Sequence, residues 1–279
     1  MQPSGILPSP QFITYEELRI RYAASPKHGA ESVILFSPWP ESIYAFAAIW
    51  PGMATEFSLV AVDLPGFGQS EGRPELMAPH AMAEFTVGIA AELGLDQPHA
   101  VGPDVGTGAL LFAAARHPGA FRSVVVGAGA ATFPLHVDGA LKAFIDAASI
   151  DDFAGADPAE IIRGAVGAIR NYDVPDAVRD DYVQSYSGRR FLDSIAYVRN
   201  YPMDLAALAP SLPYLSTPVQ IIVGRDDPYG LAADGELLHE QLPHSLLDVF
   251  DCGHNVWEEE AARYCSALTA WISGGFHEV

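Results

Sequence analysis

The stretch VGPDVGTGALLFAAARHP, from Val101 to Pro118, decides how this chain folds. Its apolar start is typical of the end of a β-strand, and the run GALLFAAAR is typical of a helix that Pro118 ends. Between them lies a Gly-x-Asp-x-Gly turn centred on Asp104. A strand, a tight turn and a helix in direct succession predict one unit of a parallel sheet, with Asp104 at the carboxyl end of the strand.

Similar apolar runs predict the rest of the sheet. They are continuous rather than alternating, which is typical of parallel strands buried on both faces. The runs are SVILF from Ser32, SLVAVD from Ser58, HAVG from His99, SVVVG from Ser123, VQIIVG from Val219 and SLLDVFD from Ser245. Helical patterns separate them, so we expect an α/β fold with a mostly parallel, doubly wound sheet.

The alternation stops in the middle of the chain. Residues 133–205 contain helical patterns and no strand-like run. One helix is predicted to begin at Asp157 as N-cap, with Pro158 in its first turn and Glu160 completing a capping box. We therefore divide the chain into a first core part (1–132), a helical cap (133–205) and a second core part (206–279).

Composition and charge exclude several functional classes. The 279 residues carry a formal charge of −20, and such a surface repels phosphate backbones and anionic lipids. We therefore expect no nucleic-acid partner and no membrane association. The start MQPSGILPSPQFITYEEL has no secretory signal pattern, and two cysteines cannot form a disulfide framework, so we expect a cytoplasmic protein. The sequence leaves a homodimer open.

Three loop residues follow predicted strands and form a candidate catalytic set. Asp104 follows HAV, Asp227 follows VQIIVG, and His254 follows SLLDVF. Open α/β sheets bind their ligands at the carboxyl ends of the strands. The chain order of nucleophile, acid and histidine is the order described for α/β-hydrolases.

Four motifs, in this order, resemble the epoxide hydrolase and haloalkane dehalogenase branch of the α/β-hydrolases. VDLPGFGQS is similar to the loop before the first sheet-packing helix, and GPDVG to the nucleophile elbow with aspartate at its centre. GRDDP is similar to the acid loop, and DCGHNVWEE to the catalytic histidine loop. The resemblance covers nearly the whole chain and implies an α/β-hydrolase fold with an inserted helical cap.

The resemblance also implies a mechanism. A carboxylate is ionised at neutral pH, so Asp104 could attack an sp³ carbon directly and form an alkyl ester. His254, oriented by Asp227, would then activate the water that hydrolyses this ester. The backbone N–H groups of Trp39 and Val105 are the expected oxyanion hole.

Two departures from the family pattern bear on the choice of substrate. Ser37 and Pro38 stand where the branch usually has His-Gly, and Pro38 has no N–H and a fixed φ that could change how the loop presents Trp39. Val105 stands where many members carry a tryptophan whose indole N–H grips a departing halide. The second departure weakens the dehalogenase interpretation.

Epoxide opening needs a proton donor, which the family takes from cap tyrosines. The stretch YVQSYSGRRFLDSIAYVRNY resembles the corresponding part of the cap, but Tyr197 is displaced by one position from the family's Tyr-Arg-Asn. One residue turns a helix by about 100°, so Tyr197 could point elsewhere. Tyr186 and Tyr172 are the substitutes.

Alternatives accompany each of these assignments. Asp104 could be a helix N-cap, since Asp is among the best capping residues, although Gly102 and Gly106 are expected to permit a strained turn at this position. Asp226 competes with Asp227 for the role of the acid. We predict no cofactor, because Pro134 spoils the helix that a dinucleotide site at GAGAA would need. We predict no metal, because HEQLPH from His239 is not His-Glu-x-x-His and Pro243 would break the helix that such a site needs.

The sequence thus predicts an epoxide hydrolase-like enzyme. Its substrate is expected to be small and largely apolar, with a natural-product intermediate as one candidate, and its product is expected to be a vicinal diol. The alternatives are a haloalkane dehalogenase, another hydrolytic or lyase activity on this scaffold, and a protein that binds a small molecule without turnover.

Overall fold

A computed structural model describes residues 9–279. Residues 1–8, which include part of the stretch analysed for a signal pattern, lie outside the described residues. The strands are Gln11–Tyr15 (β1), Leu18–Ser25 (β2), Ser32–Phe36 (β3), Ser58–Val62 (β4), His99–Val101 (β5), Val124–Val126 (β6), Val219–Gly224 (β7) and Ser245–Phe250 (β8). The α-helices are Trp50–Met53 (α1), Pro79–Glu92 (α2), Val105–Arg116 (α3), Gly139–Asp146 (α4), Pro158–Gly167 (α5), Asp176–Ser185 (α6), Arg190–Arg199 (α7), Tyr201–Leu208 (α8), Leu231–Gln241 (α9), Val256–Glu259 (α10) and Ala261–Ile272 (α11). Short 3₁₀ helices occupy Ile43–Phe46, Pro74–Leu76, Ile150–Phe153, Ala209–Tyr214 and Gly275–His277.

The strands form one sheet in the order β1-β2-β4-β3-β5-β6-β7-β8. Strands β3 to β8 pair in parallel, and β1 and β2 add an antiparallel edge. The six predicted strands are all present. The two edge strands were not predicted, because β1 is largely exposed and β2 mixes arginines with apolar residues, so neither has the continuous apolar run of a buried strand.

The register of the sheet brings the predicted site loops to one edge. Leu35 of β3 pairs with Val101 of β5, and Gly224 of β7 pairs with Phe250 of β8. Within each of these two pairs the strands end at a similar level, and all four strands release their following loops at the carboxyl edge of the sheet. Every residue of β5, β6 and β7 is buried, so the sheet is a rigid base for those loops.

The chain between β6 and β7 forms helices α4 to α8 and connecting turns. The Asp157 side chain caps α5 by accepting from the N–H of Ala159, with Pro158 in the first turn, as predicted. The reciprocal bond from the Glu160 side chain that would complete a capping box is not formed, so that part of the prediction was wrong.

A buried ion-pair network ties these helices to the sheet. Arg21 of β2 donates to Asp63, which follows β4, over 2.5 Å and to both carboxylate oxygens of Asp181 in α6 over 2.7 and 3.0 Å. The Asp181 carboxylate also accepts from Ser42 and Gln69. Across residues 9–279, no helix is long and apolar enough to cross a membrane.

Candidate active site

Asp104 lies at the sharp turn between β5 and α3. Its backbone has φ +53° and ψ −120°, which non-glycine residues rarely adopt. Its side chain makes no capping hydrogen bond to α3, so the geometry does not support the N-cap alternative. Gly129 permits the turn, since a Cβ there would lie 2.1 Å from the carbonyl oxygen of Asp104.

Gly106 does not have the role expected from sequence. A Cβ at Gly106 would meet only the Cβ of Phe36, at 3.9 Å, which is ordinary contact. A Cβ at Gly102 would lie 2.7 Å from the side chain of Leu110 and 3.2 Å from the backbone of Gly106. Of the two flanking glycines, Gly102 is therefore the one at which a side chain would crowd the turn.

The carboxylate of Asp104 is held by one of the two N–H groups expected from sequence. The N–H of Trp39 donates to Oδ2 over 2.6 Å, and the N–H of Val105 is close enough to lower the pKa of the carboxyl group. Pro38 therefore does not prevent the loop from presenting Trp39. Burial raises the pKa of Asp104 to about 6, although the positive His254 and these two N–H groups oppose the rise.

His254 is paired with Asp227 rather than with Asp226. Its Nδ1 lies 2.8 Å from Oδ2 of Asp227, whose side chain is fully buried. Oδ1 of Asp227 accepts from the N–H of Tyr229 over 2.8 Å, which fixes the carboxylate. Asp226 is exposed and forms an ion pair with Arg170.

The surrounding carboxylates favour a charged His254. Burial opposes the imidazolium, but the negative charges of Asp227, Asp104 and Glu41 outweigh it and raise the pKa of His254 to about 9. A resting site at neutral pH thus contains an imidazolium facing the ionised Asp104. Removing the charge of Asp104 would lower the pKa of His254.

Asp104 and His254 line a cavity of about 310 Å³. Most of the wall is apolar and comes from the loop after β3, from α4 and α5, and from the loop after β7. The apolar lining residues are Trp39, Pro40, Ala140, Leu141, Phe144, Ala165, Val166, Ala168, Ile169, Pro228, Tyr229 and Leu231. The polar lining residues are Glu41, Asp104, Arg170, Asp226, Gly253, His254, Asn255 and Glu259.

The three cap tyrosines predicted as proton donors do not line this cavity. The Tyr197 hydroxyl donates to the carbonyl of Val105 over 2.8 Å. The Tyr186 hydroxyl donates to the carbonyl of Glu41 over 2.9 Å. Tyr172 is half-buried near Glu41 and Glu258, and burial raises its pKa to about 12.

Sequence reasoning missed a buried pair of carboxyl groups beside the cavity. Glu41 and Glu258 are both 2% exposed, and each raises or lowers the other's pKa because the two carboxyl groups lie close together. Glu41 Oε2 accepts from the indole N–H of Trp257 over 3.1 Å, and the Trp257 ring packs against His254. Burial raises the pKa of both carboxyl groups, so the pair holds a proton at neutral pH. Only its contacts assign Glu41 to the site, although it ends the stretch SPWPE (37–41), whose Ser37 and Pro38 depart from the family pattern.

Tyr229 was also missed, although it lies only two residues after Asp227. Its ring meets His254 edge to face, with centroids 4.8 Å apart, and it lines the cavity. In the described part of the chain, no group of three or more His, Cys, Asp or Glu side chains is arranged to hold a metal ion.

Comparison with known proteins agrees with the observed fold. The family described as alpha/beta hydrolase fold matches residues 31–154. The uncharacterized hydrolase YugF of Bacillus subtilis (strain 168) is 24% identical over 88% of this chain and 91% of its own length. The 2-hydroxymuconate semialdehyde hydrolase of Pseudomonas sp. (strain CF600) is 25% identical over 81% of this chain and 80% of its own length.

Solved structures share the fold at low sequence identity. Haloalkane dehalogenase DbeA from Bradyrhizobium elkani USDA94 superimposes with a TM-score of 0.82 at 18% identity, covering 97% of this chain and 99% of the dehalogenase. Epoxide hydrolase A from Mycobacterium thermoresistibile gives a TM-score of 0.78 at 18% identity, covering 96% of this chain and 98% of the other. The predicted α/β-hydrolase fold is confirmed.

Proposed function

We propose that this chain, which has the α/β-hydrolase fold, is a hydrolase that opens epoxides of small, largely apolar substrates to vicinal diols. The observation that carries the proposal is the position of the Asp104 carboxylate. It lies at the cavity wall with Oδ2 already held by the N–H of Trp39. That arrangement leaves Oδ1 to react and holds Oδ2 where the oxyanion of the second step would form.

In the first step, Asp104 attacks an sp³ carbon of the substrate. A carbon–oxygen bond forms to one carboxylate oxygen, while the carbon–oxygen bond of the epoxide breaks and leaves its electrons on oxygen. The positive charge on His254 favours the ionised nucleophile. The product is an alkyl ester of Asp104.

In the second step, His254 activates water to attack the ester carbonyl. Esterification removes the negative charge of Asp104, which is one of the charges that raise the pKa of His254. The imidazole can therefore lose its proton and act as a base once the ester has formed. Asp227 keeps Nδ1 engaged, so Nε2 is the nitrogen that takes the proton from water.

The contacts of the site favour an oxygen leaving group over a halide. Val105 has no side-chain donor, and the indole N–H of Trp39 donates to Oγ of Ser194 over 2.8 Å. The indole is therefore engaged elsewhere and is not free to bind a halide in the cavity. The apolar wall favours a substrate with a hydrocarbon body.

The test is to trap the ester. His254→Ala should form an adduct with members of an epoxide panel, detected as a mass increase of the intact protein equal to the epoxide. His254→Ala combined with Asp104→Ala should form none. Halide release from bromoalkanes without diol formation would favour the dehalogenase instead. Tight binding of a panel compound without any product would favour a protein that binds without turnover.

A further inference from the structure

Opening an epoxide leaves a negative oxygen that needs a proton. The cap tyrosines that the sequence offered have their hydroxyls bonded to backbone carbonyls or lie outside the cavity wall. The donor must come from another residue that lines the cavity. General acids of this kind contribute about 10²–10⁴-fold to a rate, so the site should contain one.

Most acidic side chains of the cavity wall are engaged elsewhere. Asp226 is paired with Arg170, and Glu259 accepts from the N–H of Gly253 over 2.7 Å. Glu41 is 2% exposed, and its Oε2 accepts from the indole N–H of Trp257. Asp226 and Glu259 are therefore not free donors, whereas Glu41 is nearly closed off by burial and competes with Tyr229 for this role.

Tyr229 differs from all of them. It lines the cavity, is half-buried, and its hydroxyl makes no hydrogen bond to another residue within 9–279. Its backbone N–H bonds the carboxylate of Asp227, and its ring packs on the edge of His254, so its position is fixed relative to both. Burial and the charges of Asp104 and Asp227 raise the pKa of Tyr229, so the phenol keeps its proton at neutral pH.

We propose that Tyr229 is the catalytic acid of this site and donates its phenolic proton to the oxygen that leaves the attacked carbon. The inference rests on the proposed function. It moves the acid from the helical cap to the loop between β7 and α9, where a single segment then supplies both Asp227 and the donor. A cap segment that lacks a tyrosine in the cavity is thereby compatible with epoxide opening.

The protons balance over the two steps. When Asp104 bonds to carbon, the electrons of the broken bond stay on oxygen, which takes the proton of Tyr229 and becomes a hydroxyl. Once Asp104 is esterified, the charged His254 gives its proton to solvent. In the second step, water bonds to the ester carbonyl carbon and gives a proton to the neutral His254. The bond between this carbon and the bridging oxygen, which came from Asp104, breaks, and that oxygen leaves with the product and takes the proton from His254. Asp104 is released as the acid, its proton returns to the tyrosinate, and His254 regains one proton from solvent.

The experiment compares variants in which one tyrosine at a time loses its hydroxyl group. Rapid mixing with styrene oxide followed by intact-mass measurement gives the rate of ester formation in a single turnover. Tyr229→Phe keeps the ring on His254 and should slow ester formation by at least about 100-fold. Tyr172→Phe and Tyr197→Phe, which remove hydroxyls outside the cavity wall, should stay within about threefold of the unmodified chain.

The outcomes separate this inference from the function on which it rests. If the unmodified chain forms the ester and Tyr229→Phe forms it equally fast, the inference is wrong while the proposed function stands. If Glu41→Gln is slow and Tyr229→Phe is not, the donor is the carboxyl pair, and Tyr229 is excluded. If no epoxide of the panel modifies Asp104 even in His254→Ala, both proposals fail. Melting temperatures of the variants show whether each is folded.

Discussion

Asp104 holds an unfavourable backbone conformation, and two glycines near it differ in how much they contribute to this. Gly129 faces the carbonyl oxygen of Asp104 at a distance that no Cβ could occupy, whereas Gly106 has open space around its missing side chain. The strain at Asp104 is therefore maintained by close backbone approach from the loop after β6. A sequence pattern of flanking glycines does not distinguish these two situations.

We expect Gly129→Ala to destabilise the fold and Gly106→Ala to leave it intact. The first places a Cβ 2.1 Å from a backbone oxygen, so the loop or the elbow must shift, at a cost of about 3 kcal/mol. The second replaces a glycine inside α3 and should gain up to about 1 kcal/mol of helix stability. Chemical denaturation of both variants measures the free energy of unfolding. Equal stability of the two would contradict the close approach.

A second prediction at this scale concerns the pairing of His254. Asp227→Asn leaves the geometry in place but removes the charge that stabilises the imidazolium and selects its tautomer. By analogy with other triads, we expect hydrolysis of the ester to slow by about 10³–10⁴-fold, so that the ester accumulates. Asp226→Asn is the matched control, because that carboxylate pairs with Arg170 on the surface. Rapid quenching and intact mass follow the ester in both variants.

At the scale of elements, the fold depends on a charged contact between parts far apart in sequence. Arg21 and Asp181 are separated by 160 residues, and both side chains are buried. Neither residue stands out in a sequence read for motifs, since an arginine in a strand and an aspartate in a helix are both usual at a surface. Only the packing of α6 against the sheet reveals the pair.

We expect Arg21→Leu to destabilise the protein by about 3–5 kcal/mol, because it leaves Asp63 and Asp181 buried without their cation. Arg122→Leu is the control, since its ion pair with Glu31 is exposed and worth at most about 1 kcal/mol. Urea denaturation of both gives the comparison. A loss below 1 kcal/mol for the Arg21 variant would mean that the network contributes little.

The type of element that carries a residue decided whether the sequence could predict its place in the site. Asp104, Asp227 and His254 each lie within four residues of the end of a predicted strand, so the sheet edge determines where they stand. The cap tyrosines lie on helices, where the direction of a side chain depends on rotation about the axis. Tyr197 accordingly points at Val105 rather than into the cavity. Tyr229 and Glu41 have neither a helical period nor a strand pattern, so only their contacts assign them to the site.

At the scale of the whole molecule, the charge of −20 and several buried carboxyl groups both lower the stability of the fold as the pH rises. Burial raises the pKa of five carboxyl groups: Glu41, Asp63, Asp104, Asp234 and Glu258. A group whose pKa is higher in the folded than in the unfolded state stabilises the fold when it is protonated, and this stabilisation is lost as pH rises through the folded pKa. The pKa of His254 is raised to about 9, so the stability that its charged form contributes is lost between pH 6.5 and 9. The exposed Asp251, whose pKa Arg225 lowers, opposes the trend only weakly because solvent screens the pair.

We therefore expect the melting temperature to fall by about 5 °C or more as the pH rises from about 5 to about 9. Repulsion between surface carboxylates contributes to the acidic end of this slope, and 1 M NaCl, with a screening length of about 3 Å, should remove that part. The slope that remains in salt comes from buried groups. Glu41→Gln should flatten the slope between pH 4.5 and 7, because the pKa of Glu41 rises from 4.5 to about 7 on folding. Differential scanning calorimetry at both salt concentrations separates the two contributions. A slope that vanishes entirely in salt would show that the buried carboxyl groups titrate alike in the folded and unfolded chain.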